Sequence, residues 1–285
     1  MRKTLRRALL LLLASLLLLS AGAGMASAKI TEYPSVRVYA DGLLAGRGYR
    51  AGQEIYLSLG DLCRYLGLEA EETLTRGTYD VSVTAEGLEL RARIGQPYLE
   101  VNHRYLYNPR GILASEGRFF FPVSLVETLF HVLADVSPEL DRVDLDLRQF
   151  EPLRGGERWY EDRFGEENLF WLERLISAEA SDQPIEGMIG VGNVVLNRVA
   201  SEKFPDTIYD VIFDTKNGVQ FAPVYDGGID KEANGTAKIA ARIALEGYRT
   251  VGDSLFFIAP ASADDSWLKN YYVYVTHIGR HDFYM

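Results

Sequence analysis

Glu179 stands where the surrounding pattern asks for an apolar residue. The segment Asn168–Ala180 reads as a helix with Leu172, Leu175 and Ile176 at i, i+3 and i+4, and Glu179 completes that stripe at i+7. Ser181-Asp182-Gln183-Pro184 then breaks the helix, so the carboxyl projects from its last turn. Burial against apolar neighbours would raise its pKa and supply an acid still protonated near neutral pH, which is what cleavage of a glycosidic bond needs. At a frayed helix end the same residue would be a solvated surface group, and the pattern alone leaves both readings open.

A second helix, Ile185–Arg198, carries Met188, Val191, Val195 and Val199 on an apolar stripe. On another side Glu186, Gly190, Asn193 and Asn197 align at helical spacing. That small, polar face either lines a sugar groove by hydrogen bonding or faces water. Asp206 and Asp226 are the carboxylates that could join Glu179 in ordinary hydrolysis, which generally takes a carboxylate pair about 5 to 10 Å apart. Tyr209, Tyr225, Trp267, Tyr271 and Tyr272 have the polar-tipped rings that suit a sugar cleft or a core equally; Trp267, beside the polar Ser262–Ser266 stretch, is the first choice for a sugar contact.

Other chemistries fit poorly. There is no Gly-x-Ser-x-Gly elbow. Cys63 is the only cysteine, and Leu62-Cys63-Arg64-Tyr65-Leu66 reads as an amphipathic helix in which it is buried and structural. His277 and His281 have i, i+4 spacing, yet Gly279 lies between them, no Glu follows the first, and Val273 and Val275 suggest a strand. His103 and His131 stand apart from other ligand types, so neither a metal nor a cofactor is expected. The formal charge is −10, and without the four basic residues of the leader it is about −14, which speaks against nucleic acid as a partner.

The elements that must position these residues fall into segments. Residues 1–28 have the order of a signal peptide: Arg2, Lys3, Arg6 and Arg7, an apolar run Ala8–Leu19, then Ala26-Ser27-Ala28 as a cleavage site. The rest is therefore expected outside the cytoplasm, with membrane attachment only if the leader stays uncleaved. Residues 35–148 read as an α+β accessory domain: Tyr79, Val81 and Val83 alternate on one strand, Leu88, Leu90, Ala92 and Ile94 on its return, and Val143, Leu145 and Leu147 near the end. Two short strand-then-helix units repeat within it, Ile55–Leu59 with a helix ending near Leu66-Gly67, and Phe119–Val123 with a helix ending near Leu133. Residues 149–166, with Pro152 and Gly155-Gly156, read as a linker, and residues 167–285 as a mainly helical catalytic domain.

From about Leu169 to Tyr284 the chain resembles the cell-wall hydrolase SleB family, the spore cortex-lytic enzymes. The resemblance is carried by Leu175-Ile176-Ser177-Ala178-Glu179-Ala180, Glu186-Gly187, Val194-Val195-Leu196-Asn197-Arg198-Val199, Phe204-Pro205-Asp206-Thr207-Ile208, Gln220-Phe221-Ala222-Pro223-Val224, Asp226-Gly227, Ala240–Gly247 and Ile278–Phe283, in that order. Ala222 and Ala259 depart from the Ser and Asn usual in the family. The resemblance implies a lysozyme-like fold with a small β-hairpin region, lytic transglycosylase action on peptidoglycan glycan strands of spore cortex or vegetative wall, and Glu179 as the catalytic group. With it, Glu186, Asn193, Asn197, Gln220, Phe221, Trp267 and His281 are the expected substrate-binding residues. One carboxyl suffices for that chemistry: it protonates the leaving oxygen and then deprotonates the muramic C6 hydroxyl, which attacks intramolecularly. The alternatives are a hydrolytic muramidase or glucosaminidase using a second carboxylate, and a non-catalytic wall-binding protein; an amidase or peptidase would need a metal or nucleophile cluster that the chain does not offer. The strand-helix repeats of residues 35–148 resemble the copper amine oxidase N-terminal-like domain of exported proteins, expected here to bind wall or another exported protein.

Overall fold

The computed structural model describes residues 33–75, 80–115, 117–216, 219–259 and 270–285. The leader, Tyr79 and Trp267 lie outside the described residues. The chain divides into two compact units, one of residues up to His103 with Tyr107–Gly155, the other of Arg104–Leu106 with Gly156–Met285.

In the first unit the alternating pattern becomes strands with one buried face. They run β1 (Ser35–Ala40), β2 (Leu43–Ala51), β3 (Glu54–Ser58), β4 (Glu71–Thr75), β5 (Asp80–Ala85), β6 (Leu88–Arg93), β7 (Tyr98–Val101), β8 (Arg104–Tyr107), β9 (Leu113–Ser115), β10 (Arg118–Pro122), β11 (Leu133–Val136) and β12 (Arg142–Asp146). Val81, Val83, Leu88, Leu90, Val143 and Leu145 are all buried, as period-two patterning requires. One sheet has the order β11-β12-β1-β2-β3-β10-β9 and another the order β4-β5-β6-β7-β8.

The two strand-helix units are present: β3 leads into α1 (Leu59–Tyr65), and β10 into α2 (Val123–Phe130). Their strands pair antiparallel, with Tyr56 opposite Pro122 and Ser58 opposite Phe120, so the copies meet back to back toward the β9 edge of the larger sheet. Ser58 starts α1 by accepting the Asp61 N–H at 3.2 Å. Cys63 is buried on α1, where burial pushes its thiol up to about 11, out of the range of a nucleophile. The second helix stops at Phe130, short of the expected Leu133, because His131 takes a left-handed φ of 50° and Leu133 opens β11.

Residues 149–166 hold the division between the two units, at Gly155 and Gly156, and they carry packed residues as well. Leu153 is buried, its N–H bonded to the Leu129 carbonyl at 2.8 Å, and Trp159–Phe164 form a helix, α3, that buries Tyr160. The Pro and Gly residues masked the apolar anchors between them.

The second unit is built on α4 (Glu166–Ala180), α5 (Ile185–Val199), α6 (Ile208–Ile212), α7 (Pro223–Asp226) and α8 (Gly235–Leu245), followed by β13 (Phe256–Ile258), β14 (Tyr274–Ile278) and β15 (His281–Tyr284) in the order β13-β15-β14. Helices α4, α5 and α8 pack together, and Gly192 sets their closeness: a Cβ there would lie 3.1 Å from Ile176 on α4 and 3.0 Å from Ala244 on α8. Leu172, Leu175, Ile176, Val191, Val195, Ala241 and Ala244 form the core between them. The protein is thus a mixed α+β chain whose second unit is mainly helical with a three-stranded sheet built on the β14–β15 hairpin.

Candidate active site

Helix α4 buries Leu169, Leu172, Leu175, Ile176 and Ala180, and this stripe carries Glu179 into the protein at the last turn. The carboxyl is half-buried and forms no hydrogen bond or ion pair among the described residues. Burial first, and the nearby Asp226 carboxylate second, push it up to about 7. A group so placed is substantially protonated at neutral pH and can both give and take a proton.

The turn that follows is fixed from two sides. Gln183, buried between α4 and α5, accepts the Arg280 N–H at 2.7 Å through Oε1, and Arg280 forms an ion pair with Asp182. Gly279, with φ of 63° at the tip of the β14–β15 hairpin, leaves room for this contact. On the next face of α4, Ser177 Oγ accepts the Asn234 N–H at 3.2 Å, and Asn234 caps α8 by accepting the Ala237 N–H at 2.8 Å. Asn234 had a readable sequence signal, an Asn directly before an apolar helical pattern. Gln183 had none.

A cavity of about 510 Å³ opens beside this end of α4. Ala178 on the helix and Ser181 just past its end, Pro223 and Asp226 on α7, and Gly228 and Lys231 beyond it form part of its wall. Asp226 is therefore close to Glu179 in space and in charge, whereas exposed Asp206 exerts no comparable effect on it.

The polar stripe of α5 is neither a sugar groove nor a water-facing surface. Asn193 is buried, its Nδ2 donating to the Tyr248 carbonyl at 2.8 Å and its Oδ1 accepting the Thr250 N–H at 2.9 Å. Asn197 Nδ2 donates to the Gly252 and Ser254 carbonyls, each at 2.9 Å, and its Oδ1 accepts from Arg249. Gly190 lies against Val251 and Phe283, and the Glu186 carbonyl accepts from Thr250 Oγ1 at 2.9 Å. The whole stripe is the seat of residues 248–254, and these two Asn side chains are structural. Only the Glu186 carboxylate, half-buried and without a hydrogen bond or ion pair among the described residues, keeps its polar atoms for another role.

Gln220 and Phe221 are drawn inward as well. Arg198, buried at the end of α5, donates to Gln220 Oε1 at 3.2 Å and to the Leu255 carbonyl at 2.8 Å. Its guanidinium lies 4.9 to 5.3 Å from the ring centres of Phe204, Phe221 and Phe256. His281 is buried at the start of β15, its ring 5.1 Å from that of Phe257, and its Nδ1 has no hydrogen-bond partner among the described residues. Burial, then Arg280 and His277, hold it below the ordinary histidine range, so it is neutral at pH 7. His277 is on a strand and bonds Asp282 at 2.6 Å. Among the aromatic candidates, Tyr225, Tyr271 and Tyr209 are exposed, Tyr209 also packing on Phe213, while half-buried Tyr272 packs on Phe256.

Comparison with known proteins gives this geometry a context. Residues 182–284 match the Cell Wall Hydrolase family (Hydrolase_2), a match that begins three residues after Glu179. Over 120 residues the chain is 32% identical to the spore cortex-lytic enzyme of Oceanobacillus iheyensis, covering 42% of this chain and 42% of that protein. It is 30% identical to the spore cortex-lytic enzyme of Bacillus subtilis over 120 residues, covering 42% of this chain and 38% of that one. A solved catalytic domain of the germination-specific lytic transglycosylase SleB from Bacillus anthracis is 30% identical, with 44% of this chain and 98% of that chain covered and a TM-score of 0.40. The chain thus spans less than half the length of the curated relatives it matches.

Proposed function

We propose, from a second unit that carries a SleB-like, spore cortex-lytic-enzyme-type catalytic domain, that this protein cleaves the glycan strand of peptidoglycan as a lytic transglycosylase with Glu179 as its acid and base. The observation that carries the reading is the half-buried carboxyl at the end of α4, pushed up to about 7 by its burial and without a partner among the described residues. Protonated, it gives its proton to the glycosidic oxygen; as a carboxylate it then removes the proton of the muramic C6 hydroxyl, which closes on its own anomeric carbon. Intramolecular attack removes the cost of fixing a water, so no second carboxylate is needed for the nucleophile. The product is a 1,6-anhydromuramic end. Glu186, exposed Tyr225 and Trp267 are the remaining substrate contacts, and the fold about the site is lysozyme-like.

The protein acts outside the cytoplasm, at the cell wall or spore cortex, after its leader directs export. The first unit, by its paired strand-helix repeats, is a copper amine oxidase N-terminal-like domain without a copper role, binding the wall or another exported protein. A second reading, hydrolysis by a carboxylate pair, is favoured by the influence of Asp226 on Glu179. Digestion of purified spore cortex and vegetative peptidoglycan with the wild type and Glu179→Gln, analysed by mass spectrometry, tests the reading. Soluble fragments with anhydro ends from wild type and a loss of about 10² to 10⁴ in the variant are expected; equal release by both proteins would refute the role of Glu179.

A further inference from the structure

Asp226 is held in place more firmly than an exposed aspartate at the end of a four-residue helix has to be. Its Oδ1 accepts the Gly228 N–H at 2.8 Å across Gly227, whose φ of 77° is left-handed. A Cβ on Gly228 would stand 2.9 Å from that same oxygen, so the carboxylate keeps its position only because residue 228 has no side chain. So fixed, it shares the cavity wall with Ala178 and Ser181, the residues on either side of the Glu179 turn.

The other charged groups around it are largely committed elsewhere. Arg174 on α4 donates to the Asp230 and Lys231 carbonyls and lies over the Phe170 ring at 4.1 Å. Glu232 bonds Lys238 at 3.1 Å, and Asp230 lies beside Gly227. Lys231 lines the cavity without an ion pair among the described residues. Asp226 itself has no ion pair among the described residues, so its charge is felt by Glu179 at the end of α4.

We propose that Asp226 is a positioning residue of the site, a fixed carboxylate that acts through Glu179 and not on water. The inference rests on the reading of Glu179 as the acid and base. A negative charge locked on the cavity wall disfavours a second one on Glu179, adding to burial, and so keeps the proton available for the leaving oxygen. The same charge makes the Glu179 carboxylate a better base in the second half of the reaction.

The test is the pH–rate profile of cleavage of soluble muropeptide chains by the full chain, for wild type, D226N, G228A and E179Q. D226N keeps an acceptor for the Gly228 amide and removes the charge. It is expected to move the alkaline limb of kcat/KM down by about half a pH unit, so that cleavage falls about threefold at pH 8 and little at pH 5. G228A displaces the carboxylate and should move the limb the same way by less, which decides the matter alone if D226N does not fold. An unmoved limb in the folded variants would overturn the proposal. A loss of about 10² or more at every pH in D226N would overturn it too, by making Asp226 a direct base or nucleophile. Wild-type cleavage by E179Q would instead bring down the underlying reading of Glu179.

Discussion

On α4, the polar residue inside the apolar stripe is Glu179, half-buried with no hydrogen bond among the described residues. On α5, of the same fifteen-residue length, Asn193 and Asn197 lie on a buried stripe and their amides are matched by the backbone of residues 248–254. The sequence signal is the same, polar side chains in helical register on a face that packs. What separates the two helices is whether the fold supplies partners. A satisfied buried amide holds a segment in place. An unsatisfied carboxyl is tolerated at a cost in stability and keeps its proton for other use.

That contrast can be broken at each helix. The largest effect is expected for Glu179→Gln, about 10² to 10⁴ in the rate of glycan cleavage with the fold intact. A folded variant that retains wild-type rate would erase the difference between the helices. Asn193→Ala and Asn197→Ala should do the reverse: each leaves backbone groups of residues 248–254 unmatched and costs about 1 to 3 kcal/mol in denaturant unfolding. Cleavage by the folded fraction should be retained in both. Loss of activity without loss of stability would return the Asn residues to the substrate groove.

Acid–base linkage sharpens the comparison further. Because the folded protein holds the Glu179 proton up to about 7 while the unfolded chain releases it near 4.5, the folded state binds more protons between these values. Stability therefore falls as pH rises across that window and is unaffected by this group below it. Relative to wild type, Glu179→Gln should gain on the order of 1 to 3 kcal/mol at pH 8 and nothing at pH 4, read from thermal or urea unfolding at the two pH values. A constant difference across the window would mean that the carboxyl is solvated. The smallest effect is expected at Asp206, exposed and outside the cavity wall, where Asp206→Asn should change stability by less than about 0.5 kcal/mol and leave the products unaltered. Loss of cleavage there would identify Asp206 as a second catalytic carboxylate beside Glu179.

Much of this is legible in the sequence. Leu172, Leu175 and Ile176 fixed the buried face of α4 by period alone, and the stripe carried Glu179 with it. The two strand-helix repeats were legible in the same way, although nothing local revealed that β3 and β10 pair with each other. The buried seat of the α5 stripe is not legible, because its partners lie more than fifty residues downstream, in a loop with no periodic pattern. In residues 149–166 the Pro and Gly residues mark the division between the units, while the packing of Leu153 and Tyr160 is not legible, because single apolar anchors among polar neighbours lie below what a pattern can resolve. The nearness of Asp226 to Glu179 depends on how α7 meets α4, a tertiary fact with no trace in spacing.

In the proposed mechanism Glu179 works alone on the proton while the substrate's own hydroxyl is the nucleophile. Digestion of purified peptidoglycan in heavy-oxygen water, with mass spectrometry before and after borohydride reduction, tests it most directly. Muramic ends that are one water lighter than the hydrolytic product, unlabelled and inert to borohydride, are expected. Reducible muramic ends carrying the heavy oxygen would show that water attacks, that a second carboxylate is required, and that the single-glutamate mechanism is wrong.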